Sequence, residues 1–130
     1  MDKIILSGCA IIEDEKLLLL YKDIDDYWEF PGGKVEEDES ISEAALRETM
    51  EEIGCKVKIL KHLVAIEFEK NGKTYVSHKF LANIESGMPY ADGIEHSDIL
   101  WLPIKDYKNY KLAPNAIIFC EKYLNKELNV

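Results

Sequence analysis

The chain has 130 residues, 47% of them hydrophobic, which suits one domain over residues 1–130 with a buried core. Its 25 acidic against 16 basic residues leave a formal net charge of −9, which disfavours duplex nucleic acid and anionic membrane as partners. A polyphosphate is repelled as well unless cations intervene, so phosphate chemistry on this chain calls for a divalent metal.

Residues 4–12 are apolar and β-rich, residues 13–16 form a polar turn, and residues 17–21 are a second apolar run. Together they predict a hairpin or two neighbouring strands. Residues 23–27 read as a charged loop, and Phe30-Pro31-Gly32-Gly33 as a break in regular structure. From Ser40 the period becomes helical. Ser40 with Glu43 fits a capping box and Gly54 a C-terminal stop, which predicts a helix over Ile41–Ile53. Residues 57–69 and 73–84 are β-prone, and Asn71-Gly72 between them signals a type I′ hairpin turn. A loop over 86–97 leads to a short strand over 99–102, and Pro114 opens a last helix. Strands, helix, strands, helix is the order of an α/β fold with helices covering a mixed sheet.

Cys9, Cys55 and Cys120 include no C-x-x-C pair and read as buried free thiols in a reducing cytosol. His62, His78 and His96 lack zinc spacing and read as ordinary surface or strand residues. No apolar run approaches membrane-spanning length and the N-terminus lacks a signal-peptide pattern, so a soluble cytoplasmic protein is expected.

The chemistry concentrates in residues 33–55, GKVEEDESISEAALRETMEEIGC. Glu48, Glu51 and Glu52 fall at i, i+3 and i+4 and share one helix face, where like charges repel. Bare, such a triplet is a solvated acidic face. Here Arg47 stands four residues before Glu51, a Gly-Gly pair precedes the helix, and Glu39 lies beside the helix start. Hard divalent cations relieve that repulsion, and Mg²⁺ takes carboxylates together with substrate phosphates.

This segment resembles the Nudix box, G-x5-E-x7-R-E-U-x-E-E-x-G-U, where U is a bulky aliphatic residue. Gly33, Glu39, Arg47, Glu48, Glu51, Glu52 and Gly54 fall in place without a gap, while Thr49 and Cys55 stand at the U positions. Trp28 to Lys34 is similar to the segment leading into the box in MutT-type members, which are nucleoside triphosphate pyrophosphohydrolases. The resemblance implies the Nudix fold, an α/β/α sandwich with a mixed sheet. It also implies metal-dependent hydrolysis of a phosphoanhydride in a nucleoside diphosphate derivative, with a (d)NTP cleaved to NMP and pyrophosphate foremost. An ADP-ribose or nucleotide-sugar pyrophosphatase is the second expectation, and a non-catalytic nucleotide sensor the third.

The site follows from these parts. Mg²⁺, or Mn²⁺, is assigned to Glu48, Glu51 and Glu52, with the Gly32 carbonyl as a further ligand by family similarity. Arg47 orients a carboxylate. Glu95 resembles the extra-box glutamate that the family brings from a loop, and it shares candidacy with Glu48 as general base. A solvated loop acid is the alternative for Glu95, with Asp92 and Asp98 as rivals in the same loop. Lys22 and Lys34 are candidate phosphate contacts, with a plain surface lysine the alternative for Lys22. Phe30, or Tyr90, is a candidate to stack on a base, against core packing for Phe30. Pro114-Asn115 resembles the helix entry where an asparagine reads a purine in MutT-type members, and helix capping is the alternative.

Overall fold

The computed structural model describes residues 2–130. Seven strands and two α-helices follow the order β1 (Ile4–Glu13), β2 (Lys16–Lys22), β3 (Tyr27–Glu29), β4 (Gly32–Lys34), α1 (Ile41–Ile53), β5 (Lys56–Lys70), β6 (Lys73–Ser86), β7 (His96–Pro103) and α2 (Pro114–Leu124). A 3-10 helix, Ile104–Asn109, joins β7 to the segment before α2. The sheet is mixed: β1 runs parallel to β6, and the other pairings are antiparallel.

Two apolar clusters occupy the two sheet faces and explain the sandwich. One gathers Cys9, Ile11, Phe80 and Ala82 of β1 and β6 under Ala45 and Ile53 of α1. The other gathers Ala10, Leu17, Leu19 and Leu102 under Ala116, Phe119 and Cys120 of α2. Successive strand residues point to opposite faces, so β1 and β2, buried on both, read as unbroken apolar runs. Among the described residues no helix is long and apolar enough to cross a membrane.

The expected α1 is found with its bounds and its caps. Ser40 accepts from the Glu43 N–H at 3.1 Å while Glu43 accepts from the Ser40 N–H at 2.9 Å, and Gly54 ends the helix in the left-handed region at φ 68°. Asn71 and Gly72 take φ of 53° and 75°, as a type I′ turn requires. Thr49 and Cys55, at the two positions where a larger aliphatic was expected, are both buried.

Three expectations are corrected. Gly32-Gly33 is not a break: it forms β4, pairing Gly32 with Gly8 and Gly33 with Ser7. Tyr27, expected at the end of a charged loop, begins β3 and pairs with Lys22. β7 begins at His96, three residues before the expected strand, because His96 pairs with Lys22 beyond an irregularity in the ladder. The long hairpin of β5 and β6 also carries irregularities, between Ile59 and Lys61 and between His62 and Val64, and β5 is the last strand on its side of the sheet.

Candidate active site

The site forms where β4 crosses β1 by direct backbone contact. A Cβ on Gly8 would run into the Pro31 carbonyl oxygen, and one on Gly32 would lie 2.7 Å from the Ser7 carbonyl oxygen. This contact brings the loop before α1 down onto the sheet, and α1 follows above it. Gly33 has a different duty. A Cβ there would fall 2.6 Å from the Glu48 carboxyl carbon, so the missing side chain leaves the space that the carboxylate occupies.

A cavity of about 370 Å³ opens at this crossing. Glu48 and Glu52 of α1, Glu29 of β3, Glu95 before β7, and Gly32 and Gly33 line it. So do Ser77 and Lys79 of β6, Phe30, and Asn115 of α2, with Lys22, Tyr27 and Lys70 also on the wall.

Arg47 is the organiser of the box. It donates to Glu39 through Nε at 2.5 Å and Nη2 at 2.9 Å, and to Glu48 through Nη1 at 2.9 Å. Its approach to Glu51 is looser, at 3.6 Å. The helical spacing therefore pointed Arg47 at the wrong principal partner, since a guanidinium grips a carboxylate best with two nitrogens and Glu39 presents that geometry. Glu51 is exposed on its helix face and does not line the cavity.

Glu52 is buried and accepts a hydrogen bond from the Gly32 N–H at 2.8 Å. Burial pushes its carboxyl up to about 8, with the nearby Glu48 and Glu29 charges adding to the rise and the Gly32 bond opposing it. A carboxylate kept near others in this way favours a cation. Glu52, Glu95 and His96 each offer a ligand atom, all within 4.8 Å of one another. Buried His96 donates from Nε2 to the Glu29 carboxylate, 2.8 Å away, and its Nδ1 has no partner. Burial pulls the His96 pKa down, but the Glu29 bond and the charges of Glu52, Glu29 and Asp92 outweigh it and leave it raised. Oxygen-rich donors around an under-compensated carboxylate fit a hard divalent ion. His96 was expected to be an ordinary surface or strand residue. It is a strand residue, the first of β7, but it is buried beside Glu29, Glu52 and Glu95 instead of lying on the surface, and only the sheet pairing reveals that.

The rival loop acids are accounted for. Asp92 accepts from the backbone N–H groups of Ile94, Glu95 and His96 at 2.8, 3.2 and 3.3 Å, which shapes the loop that presents Glu95. Asp98 accepts from the Ile99 N–H at 2.8 Å and lies outside the cavity. Tyr90 also lies outside it, with its ring over Gly54. Lys22 and Lys34 both line the cavity, and Lys22 pairs with Asp25 at 3.2 Å. Lys70 shares that acid at 3.0 Å and donates to the Tyr27 hydroxyl at 2.6 Å. Two lysines share this one aspartate, and the Glu29 charge on the same wall also acts on Lys22.

Phe30 is buried, with its ring edge-to-face on Phe119 at 5.1 Å, so core packing holds it. Asn115 is buried and donates from Nδ2 to Ser77 Oγ at 3.2 Å, and no side chain caps α2. The capping alternative for Asn115 is thereby corrected. Sequence reasoning missed Glu29, Ser77 and Lys79, and it missed Phe68 and Tyr75, which stack 5.2 Å apart at 11° beside the cavity. The available signal was the alternation of Tyr75, Ser77 and Lys79 on one strand face.

The comparisons agree with this geometry. The family model described as NUDIX domain matches residues 5–122. The CTP pyrophosphohydrolase of Escherichia coli is 33% identical over 127 residues, covering 94% of this chain and 93% of that protein. The 8-oxo-dGTP diphosphatase of Buchnera aphidicola from Acyrthosiphon pisum is 40% identical over 96 residues, covering 70% and 73%. The crystal structure of a MutT NUDIX hydrolase from Burkholderia pseudomallei superposes with a TM-score of 0.82 at 26% identity, covering 93% of this chain and 98% of that one. With a family model matched over residues 5–122 and relatives of this identity and coverage, this chain belongs to the Nudix family of hydrolases.

Proposed function

We propose that the chain hydrolyses a nucleoside triphosphate to the monophosphate and pyrophosphate. The observation that carries this reading is that the carboxylates Glu48, Glu52 and Glu95 and the buried Asn115–Ser77 pair line a single cavity. One part suits a phosphate chain and the other a base. The relatives named for CTP and for 8-oxo-dGTP support a triphosphate substrate.

Glu48, Glu52 and the Gly32 carbonyl, with Glu51 turned in from its exposed helix face, would hold Mg²⁺ or Mn²⁺. Such an ion supplies positive charge against the phosphate oxygens and lowers the pKa of water. Arg47 fixes Glu48 and, through Glu39, ties the loop to the helix. Lys22 and Lys70 on the cavity wall and exposed Lys34 attract and orient the phosphates. Glu95 takes the proton of the attacking water. Among the described residues its carboxylate has no ion-pair partner, whereas Arg47 engages Glu48. Asn115 reads the base edge, and the Phe68–Tyr75 stack flanks it.

The test is a panel of nucleoside triphosphates, ADP-ribose and nucleotide sugars with Mg²⁺ and Mn²⁺, with products identified. Monophosphate and pyrophosphate from a triphosphate are expected. Faster turnover of ADP-ribose or a nucleotide sugar would overturn the substrate assignment, and binding without turnover of any compound would make the protein a sensor.

A further inference from the structure

Lys79 is a basic residue placed where a basic residue is costly. It lies on β6 between His78 and Phe80, and only 3% of it is exposed. Its Nζ sits 4.0 Å from the centroid of the Phe30 ring. Among the described residues no carboxylate comes within ion-pairing distance of it and no hydrogen-bond acceptor engages it, yet it lines the cavity. Burial pulls its pKa down to about 7, against the charges of Glu29, Cys9 and Glu52. A buried cation without a hydrogen-bonded partner destabilises a fold, and a methionine of similar length would pack there at lower cost. Stability therefore does not explain this lysine, while a ligand acceptor would.

Its position says which part of a ligand it meets. Ser77 and Lys79 are alternate residues of one strand and face the same side, about 6.7 Å apart along it. Ser77 Oγ receives the Asn115 amide, and Lys79 is the next residue on that face of β6, its ammonium over Phe30 in the same cavity. Asn115 keeps its amide oxygen and a further N–H for a ligand, and can serve as donor or acceptor. A lysine ammonium has three donors and no acceptor. Next to an adaptable amide, it adds a demand for an acceptor oxygen.

We propose that Lys79 is the specificity-determining residue of the cavity, donating to a keto oxygen on the edge of the nucleobase. Guanine- and uracil-type bases are then taken in preference to bases carrying an amino group at the same place. The inference rests on reading the cavity as a nucleotide site. An exocyclic amino group would oppose its hydrogens to those of the ammonium and leave a buried donor without an acceptor.

Two paired comparisons on the wild-type protein test this without any mutation. Triphosphates of guanine and 2,6-diaminopurine deoxynucleosides differ by a keto oxygen against an amino group, as do dUTP and dCTP. In the pair hydrolysed faster, the keto member should lead in kcat/KM by at least tenfold. Equal values within threefold in both pairs would overturn the proposal. In Lys79→Met the ratio should collapse, and the melting temperature should rise as an unpaired buried charge is removed. A loss of equal size for every base would overturn it too, by making Lys79 a phosphate contact. Calorimetric binding of dGMP and dAMP in EDTA separates this inference from the proposed reaction. A dGMP preference that Lys79→Met abolishes supports the inference even if no triphosphate is hydrolysed. Hydrolysis with no base preference overturns it while the reaction stands.

Discussion

Arg47 and Glu39 form a two-nitrogen ion pair, 2.5 Å from Nε and 2.9 Å from Nη2, that straps the loop before α1 to the middle of that helix. The hydrogen bonds from Arg47, with one from the Glu36 N–H, hold the Glu39 carboxyl down at about 2. A depressed carboxyl pKa contributes stability that is complete above the unfolded value of 4.5 and is lost as pH falls towards 2. Glu39→Gln should therefore melt lower than wild type at pH 6, and the two should converge as the pH approaches 2. Melting curves across that range check this. A gap that stays constant would remove the ion pair as its cause.

Gly33→Ala should fold and fail in catalysis. Its methyl would lie 2.6 Å from the Glu48 carboxyl carbon and push that side chain from its place. A displacement of about 1 Å at a catalytic group costs on the order of a hundredfold in rate. Steady-state kinetics alongside a melting curve separate this from unfolding. Near-normal kcat would mean that Glu48 can move without consequence.

Divalent metal should raise the melting temperature, because an ion held by the box carboxylates binds the folded state only. Glu52→Gln keeps an acceptor for the Gly32 N–H and removes a buried acid, so in EDTA it should melt close to wild type. Its metal-dependent rise should shrink, and its turnover should fall by about a hundredfold or more. Thermal melts with Mg²⁺ or Mn²⁺ measure the first effect and kinetics the second. A wild-type metal shift in Glu52→Gln would exclude Glu52 as a ligand.

Asn115→Ala should change which base is preferred. The amide bonds Ser77 inside the cavity and caps nothing, so its loss removes a polar edge for the base. Purine-to-pyrimidine discrimination in kcat/KM should weaken by about one power of ten, from a lost buried hydrogen bond of about 1–3 kcal/mol. Discrimination equal to wild type would place base reading on other residues.

All three cysteines are buried. Burial raises the thiol pKa of each, that of Cys120 up to about 12, so little thiolate is present at pH 8. A thiol reagent should titrate three groups in denaturant and none rapidly in the native protein. A fast native thiol would indicate local opening at that strand or helix.

The box was legible because its signals are local. Ser40, Glu43 and Gly54 fix the helix ends within a few residues of themselves, and the Glu48–Glu52 spacing follows from one helical turn. The base side was not, because its residues meet only through the sheet. Ser77 reaches Asn115 across 38 positions, and His96 reaches Glu29 across 67. Gly32-Gly33 misled for a related reason. Two glycines read as a break until Gly8 of β1 supplies the backbone against which they lie as a strand.

The last strand of the hairpin has a consequence for how copies of the chain treat one another in a crowded solution. β5 leaves one ladder of backbone groups open, a template on which another chain could polymerise. Exposed Lys56, Lys58 and Lys61 set like charges along the first half of that rim, and three irregularities, between Lys56 and Val57, Ile59 and Lys61, and His62 and Val64, interrupt it. A second copy meeting it in parallel would set lysine against lysine across an interrupted ladder, which guards against in-register fibre growth.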